Sequence, residues 1–141
     1  NWVEFLEYEV SRSRRYDNPL CLLKLHVIID DQPESLDDED IKQSIKDTLM
    51  DELRWADMIG NTSHGSFLMV LPETPVSALE QLSVKLGKAI TAAVSALTKS
   101  TQVDVIFGRA YWQKHDDGTK MLARARKDLV DKLEEKANNI N

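Results

Sequence analysis

The most constraining feature of this chain is a nearly continuous apolar run from Leu20 to Ile29. Strands that are covered on both faces have this pattern, so the run predicts a buried central strand. Such a strand needs packed layers on both sides. The chain has 141 residues, which is enough for one domain with one core around this strand. Its only cysteine, Cys21, lies inside the run and is expected to be a small core residue of a protein from a reducing compartment.

Helical and strand patterns alternate along the rest of the chain. Apolar residues at helical spacing predict a helix that opens with Trp2, Phe5 and Leu6, followed by helices at Ile41–Leu53, Leu79–Leu97 and Leu122–Leu133. Shorter apolar segments predict a hairpin from Asp57 to Leu71 and a strand from Val103 to about Gly108. Asp30–Asp40 is expected to be a loop, and Asp116–Gly118 a turn. This order predicts an α/β sandwich with a mixed sheet, but by itself it names no function.

Composition excludes some partners. The formal charge is -6 and the isoelectric point is near 5.0, whereas binding to a nucleic acid polymer needs a basic surface. A small anionic ligand held by a few arginines remains compatible with this charge. No segment is long and apolar enough to span a bilayer, and no signal peptide is visible. We expect a cytoplasmic domain cut from a longer protein, with membrane attachment only through segments upstream of this sequence.

Three stretches carry recognisable motifs in a fixed order. They are Asn1-x-x-x-Phe5 with EVSRSRRYDNPL at Glu9–Leu20, LRWADMIG at Leu53–Gly60 with FLMVLPET at Phe67–Thr74, and FGRA at Phe107–Ala110 with Met121-Leu122-x-x-Ala125. Together they resemble the GGDEF family of diguanylate cyclases over nearly the whole chain. The resemblance implies one GGDEF domain, residues 1–141, with a nucleotide-cyclase-like α/β sandwich. Its central, mainly antiparallel sheet would be flanked by helices.

The chain departs from the family where the family holds metal and nucleotide. The signature turn becomes Ser63-His64-Gly65-Ser66-Phe67, and the acidic DxD motif of the first strand becomes His26-Val27-Ile28. Joining two GTP molecules needs magnesium held by carboxylate oxygens. Glycine offers no ligand, and imidazole suits magnesium poorly. The resemblance therefore implies a degenerate domain that is not an enzyme and holds neither a cofactor nor magnesium. A transition-metal site at His26 and His64 is the alternative to two packed or solvent-facing histidines, and no third ligand is evident.

A second family motif is retained. Arg54-Trp55-Ala56-Asp57 matches the RxxD inhibitory site, five residues before the altered signature. The resemblance implies that this site binds cyclic di-GMP, with Arg54 pairing to phosphate or guanine and Asp57 accepting from the guanine edge. An ungapped alignment adds Lys85 and Arg12 as supporting contacts. The alternative is structural: Arg54 is a helix-end arginine and Asp57 a turn residue. Trp55 either stacks on a guanine or packs against the sheet.

Two functions follow from these motifs. The first is a non-catalytic cyclic di-GMP receptor within a larger bacterial signalling protein, of the kind that regulates exopolysaccharide secretion and biofilm formation. The second is a ligand-free module for homodimerisation or protein docking, in which RxxD is a relic. An internal ion pair at Arg54 would favour the second function. Side chains of Arg54 and Asp57 on opposite faces would exclude the first.

Overall fold

The computed structural model describes residues 1–30, 39–63, 66–100 and 102–140, without the side chains of residues 63 and 140. Helices and strands alternate in the predicted order. They are α1 (Trp2–Tyr16), β1 (Leu20–Ile29), α2 (Glu39–Glu52), β2 (Met58–Ser63), β3 (Ser66–Pro72), α3 (Val76–Thr98), β4 (Val103–Tyr111) and α4 (Gly118–Ile140). Most of the predicted loop Asp30–Asp40 lies outside the described residues. No helix within the described ranges has the length and apolarity needed to cross a membrane.

The four strands form one sheet in the order β2-β3-β1-β4. β1 is central, as its apolar run predicts. It pairs antiparallel with both β3 and β4, and β2 pairs antiparallel with β3. The mainly antiparallel sheet is therefore confirmed, whereas the mixed sheet expected from the order of elements alone is wrong for the described strands. Strands that run in the same direction, β3 with β4 and β1 with β2, are each separated by one antiparallel strand and never pair with each other.

Two cores cover the two faces of the sheet. Alternate residues of β1, such as Leu23 and Leu25, pack in a core with residues of α2 and α3. The intervening residues Leu20 and Leu22 pack in a second core with residues of α1 and α4. This arrangement follows from the two-residue period of a strand, because successive side chains point to opposite faces. Because β2 is an edge strand, the α2–β2 connection that leads into it lies at the edge of the sheet, next to the end of β3.

Helix α4 lies directly against β4 at Gly108. A Cβ atom built on Gly108 would be 2.4 Å from the Ala125 carbonyl oxygen and 2.5 Å from the Leu129 amide nitrogen. Only a residue without a side chain allows this approach. The strand also continues to Tyr111, three residues beyond the predicted end near Gly108, because its pairing with β1 continues to Cys21. The apolar alternation on which the prediction depended stops earlier than the hydrogen bonds do.

Candidate functional site

The candidate site is the turn between α2 and β2 that carries Arg54 and Asp57. The main-chain amide of Asp57 donates to the Arg54 carbonyl oxygen at 3.0 Å. In return, the main-chain amide of Arg54 donates to Asp57 Oδ2 at 2.9 Å. The four-residue spacing of the motif is therefore that of a turn whose first and last residues are joined by two reciprocal hydrogen bonds. This is the structural role that the sequence left open.

The Arg54 guanidinium joins this turn to the end of β3. Its Nη2 lies 3.0 Å from Asp57 Oδ1, and its Nε lies 3.4 Å from Asp57 Oδ2. The same Nη2 donates to the Pro72 carbonyl oxygen and, at 2.8 Å, to Thr74 Oγ1. The side chains of Arg54 and Asp57 thus converge, and the internal ion pair is present.

These contacts use only Nε and Nη2 of the guanidinium. Within the described residues, Arg54 Nη1 makes no hydrogen bond, and the Arg54 side chain is 52% exposed. Two N–H donors of Nη1 therefore remain available to a ligand. The Asp57 carboxylate accepts three bonds from Arg54, and its side chain is only 3% exposed. Direct contact between Asp57 and a guanine edge would require this ion pair to open.

Lys85 and Arg12 are paired with carboxylates that line the cleft beside Arg54, and neither lines that cleft itself. A cleft of about 360 Å³, here called the α3-side cleft, is lined by Glu52, Arg54, Asp57, Glu73, Thr74 and Leu82 among others. Lys85 Nζ pairs with Glu52 Oε2 at 3.1 Å, and Arg12 Nη2 pairs with Glu73 Oε1 at 3.2 Å. The structure therefore brings Arg54 and Asp57 into one cleft and holds the other two predicted residues one ion pair away from it.

A second cleft lies on the other side of the same turn. This α2-side cleft, of about 440 Å³, is lined by Lys46, Met50, Arg54, Trp55, Met58 and Ile59, together with Leu53 and Asp57. Trp55 is 98% exposed and Met50 is 60% exposed. The expectation that Trp55 could pack against the sheet is therefore wrong. Its indole faces solvent because the turn directs residue 55 outward while Arg54 and Asp57 point back to the fold.

The positions that hold metal in the family are only partly described. His26 Nδ1 lies 2.7 Å from Ser66 Oγ on the neighbouring strand. His64 and Gly65 lie outside the described residues, and the alternative metal site at His26 and His64 stays a prediction. Across residues 1–30, 39–63, 66–100 and 102–140, no group of three His, Cys, Asp or Glu side chains could hold a metal ion.

The sequence did not identify several residues of this region. Thr74, the last residue of the LPET stretch, is buried and accepts from Arg54. Its carbonyl oxygen accepts a hydrogen bond from Cys21 Sγ at 3.1 Å, and burial raises the pKa of that thiol to about 11. Lys46 and Met50 were also missed. The i, i+4 spacing of Lys46 and Met50 indicates that they share a helix face, but no local pattern links residues 54 and 74.

Comparisons with known proteins identify the fold. No model of a known protein family and no curated protein sequence matches the chain. The solved diguanylate cyclase SiaD from Pseudomonas aeruginosa, in complex with its activator SiaC, is 23% identical with a TM-score of 0.79 over 92% of this chain. The match spans about half of SiaD, 52% of that chain.

Two further solved structures agree with this match. The GGDEF domain of DgcB from Caulobacter crescentus, in complex with c-di-GMP, is 13% identical and has a TM-score of 0.77, over 95% of this chain and 83% of that one. The FimX GGDEF domain from Pseudomonas aeruginosa is 11% identical and has a TM-score of 0.75, over 92% and 84%. The chain therefore has a GGDEF-like fold.

Proposed function

We propose that this domain is a non-catalytic receptor for cyclic di-GMP, and that Arg54 makes the main contact with the ligand. The observation that carries the proposal is that the Arg54 guanidinium is anchored by internal hydrogen bonds and still has unused donors. Asp57, Pro72 and Thr74 hold Nε and Nη2 of the guanidinium, and the N–H donors of Nη1 make no hydrogen bond within the described residues. A donor group fixed in this way loses little side-chain entropy when it binds an anion.

The chemistry of the ligand fits this arrangement. An arginine that is already planar and anchored can donate to a phosphate oxygen or to guanine O6, and its face can stack on a base. Solved GGDEF domains that resemble this fold include one bound to c-di-GMP. In this proposal Asp57 positions Arg54. Lys85 and Arg12 are paired with Glu52 and Glu73, and the proposal does not depend on them.

The altered signature supports the non-catalytic part of the proposal. Position 65 is glycine and position 26 is histidine, where the family has carboxylate ligands for magnesium. Ligand binding would then act by fixing the orientation of this domain relative to its neighbours or by cross-linking two copies. Incubation with GTP and magnesium or manganese, followed by chromatography, tests this part. Formation of cyclic di-GMP would contradict it.

Isothermal titration with cyclic di-GMP tests the binding itself. We expect heat from the native domain and a loss of at least tenfold in affinity for Arg54→Ala, because charge-assisted hydrogen bonds contribute about 1.5–3 kcal/mol. Arg126→Ala is the matched control, since Arg126 is exposed on α4. The control should bind like the native domain. No heat from the native domain, or equal affinities for the native domain and Arg54→Ala, would contradict the proposal.

A second candidate function is favoured by one specific observation. The internal pair of Arg54 with Asp57 is what a purely structural motif would make, and the α3-side cleft carries three carboxylates beside one arginine. In that case the domain is a dimerisation or protein-docking module that binds no nucleotide. Sedimentation equilibrium over a range of concentrations tests it. Self-association without nucleotide, together with no heat in the titration, would favour this function over the receptor.

A further inference from the structure

We infer that the ligand binds in the α2-side cleft, with one base stacked on Trp55 and a phosphate beside Lys46, rather than in the α3-side cleft near Lys85 and Arg12. The inference rests on the proposed function and names the part of the site that the ligand occupies. Arg54 lines both clefts, so its unbonded Nη1 alone does not choose between them. The charge of each cleft and its exposed apolar surface distinguish the two.

The two clefts differ in the sign of their charge. The α3-side cleft contains one cation, Arg54, and three carboxylates, of Glu52, Asp57 and Glu73. The α2-side cleft contains two cations, Lys46 and Arg54, and one carboxylate, which is buried and already paired. A cyclic dinucleotide carries two phosphate charges, so its attraction to the α2-side cleft is stronger.

The basic residues near the two clefts are also in different states. Lys85 and Arg12 are each held by a carboxylate, and an anion that recruits them must break those ion pairs. Lys46 is exposed and makes no ion pair within the described part of the chain. It is therefore free to neutralise a phosphate without losing an existing partner.

Trp55 provides the apolar half of the subsite. The Trp55 side chain is 98% exposed and Met50 is 60% exposed, so the free protein leaves this apolar surface in contact with water. Covering such surface lowers the free energy. A purine base stacked on Trp55 would cover that surface, and base–aromatic stacking changes affinity by about 5- to 150-fold per base. The turn that holds Trp55 is fixed by reciprocal Arg54–Asp57 hydrogen bonds, so the ring is presented on a rigid support.

Met50 and Lys46 complete the same surface. They lie four residues apart on α2, so their side chains project from the same face of the helix. The Met50 side chain is flexible and polarisable, and it can adapt to the edge of a stacked ring. The α2-side cleft thus combines an aromatic plane, an adaptable apolar wall and two cations. This set fits a nucleotide better than it fits the acidic or purely apolar side chains of a protein partner.

Titration of cyclic di-GMP into four variants tests the inference. We expect Trp55→Ala to weaken binding by about tenfold or more and Lys46→Ala by about threefold to tenfold. Lys85→Ala and Arg12→Ala should bind like the native domain. None of these four side chains is fully buried, so the variants should fold. Trp55→Phe keeps an aromatic plane and should retain most of the affinity.

Tryptophan fluorescence gives an independent readout. Binding should change the emission of the native domain, and Trp55→Phe should abolish that change while it still binds, because Trp2 and Trp112 are partly buried against the core between α1 and α4 and do not line the α2-side cleft. If binding depends on Arg54 but not on Trp55 or Lys46, and weakens in Lys85→Ala, the receptor function stands and the inference is overturned. If the native domain binds no cyclic di-GMP, both fail.

Discussion

Adding one methyl group at two different glycines should change stability in opposite directions. At Gly108 the new Cβ would lie 2.4–2.6 Å from atoms of Ala125 and Leu129, two of them main-chain atoms of α4. Ordinary carbon contacts need about 3.5–4.0 Å, so α4 would have to move by about 1 Å. At Gly87, inside α3, the nearest atom is Phe107 Cε2 at 3.6 Å, which is an ordinary contact.

The magnitudes follow from these contacts. Overpacking against a rigid neighbour costs about 1–3 kcal/mol, and contact with two main-chain atoms of α4 puts Gly108→Ala at about 3 kcal/mol. Replacing a helical glycine by alanine stabilises a helix by about 0.5–1 kcal/mol, which is the expectation for Gly87→Ala. For a domain of this size about 1 kcal/mol shifts Tm by roughly 3–4 °C. Gly108→Ala should therefore lower Tm by about 10 °C, and Gly87→Ala should raise it by about 2–4 °C.

Thermal unfolding followed by circular dichroism measures both shifts under one set of conditions. Urea titration of the two variants checks that the free energy of unfolding changes without a change in the slope. The reasoning is refuted if Gly108→Ala is as stable as the native domain. That result would mean that α4 does not lie directly on β4. A destabilised Gly87→Ala would show that its surroundings are tighter than 3.6 Å indicates.

Three further predictions concern buried groups. Burial alone would raise the pKa of Asp116, but hydrogen bonds from Arg124 and the Gln113 main-chain amide, together with the charge of Arg124, hold it below the ordinary value of 3.8. Because a lowered carboxyl pKa stabilises the fold above that value, the loss of stability in Asp116→Asn, measured by urea unfolding, should be larger at about pH 6 than at about pH 2.5. Cys21 has a pKa of about 11, so it should react with a thiol reagent at pH 8 only after unfolding. Gly60→Ala should displace Trp2, whose ring lies 2.3 Å from the added Cβ, and change the tryptophan emission of the free domain; unchanged emission would contradict that contact.

Much of the fold was predictable because local patterns determine it. The apolar run of β1 and the spacing of apolar residues in α2, α3 and α4 gave the order and the approximate bounds of these elements. Pairing was harder to predict. The order of elements alone suggested a mixed sheet, and only the resemblance pointed to antiparallel strands. Strand direction is decided by packing between distant segments, and periodicity carries no information on it.

The candidate site was predictable only in part for a similar reason. The Arg54 and Asp57 pair is local, since a four-residue turn brings both side chains together. The partners that decide how Arg54 is held come from the end of β3, about twenty residues away in sequence. The exposure of Trp55 was not predictable from the sequence either. An aromatic residue in a turn between two elements can pack on the fold or face solvent, and the direction of the turn decides which.

The ion pair between Arg12 and Glu73 connects the first helix to the surroundings of Arg54. Glu73 stands between Pro72 and Thr74, the two residues that accept from the Arg54 guanidinium. A ligand that breaks the Arg54 hydrogen bonds to Pro72 and Thr74 would weaken the hold on the segment that carries Glu73, the partner of Arg12. Thermodynamic linkage works equally in both directions. A ligand that displaces the Arg54 guanidinium would therefore be coupled to a tilt of α1, whereas one that leaves Arg54 in place, as inferred for the α2-side cleft, would bind independently of that tilt.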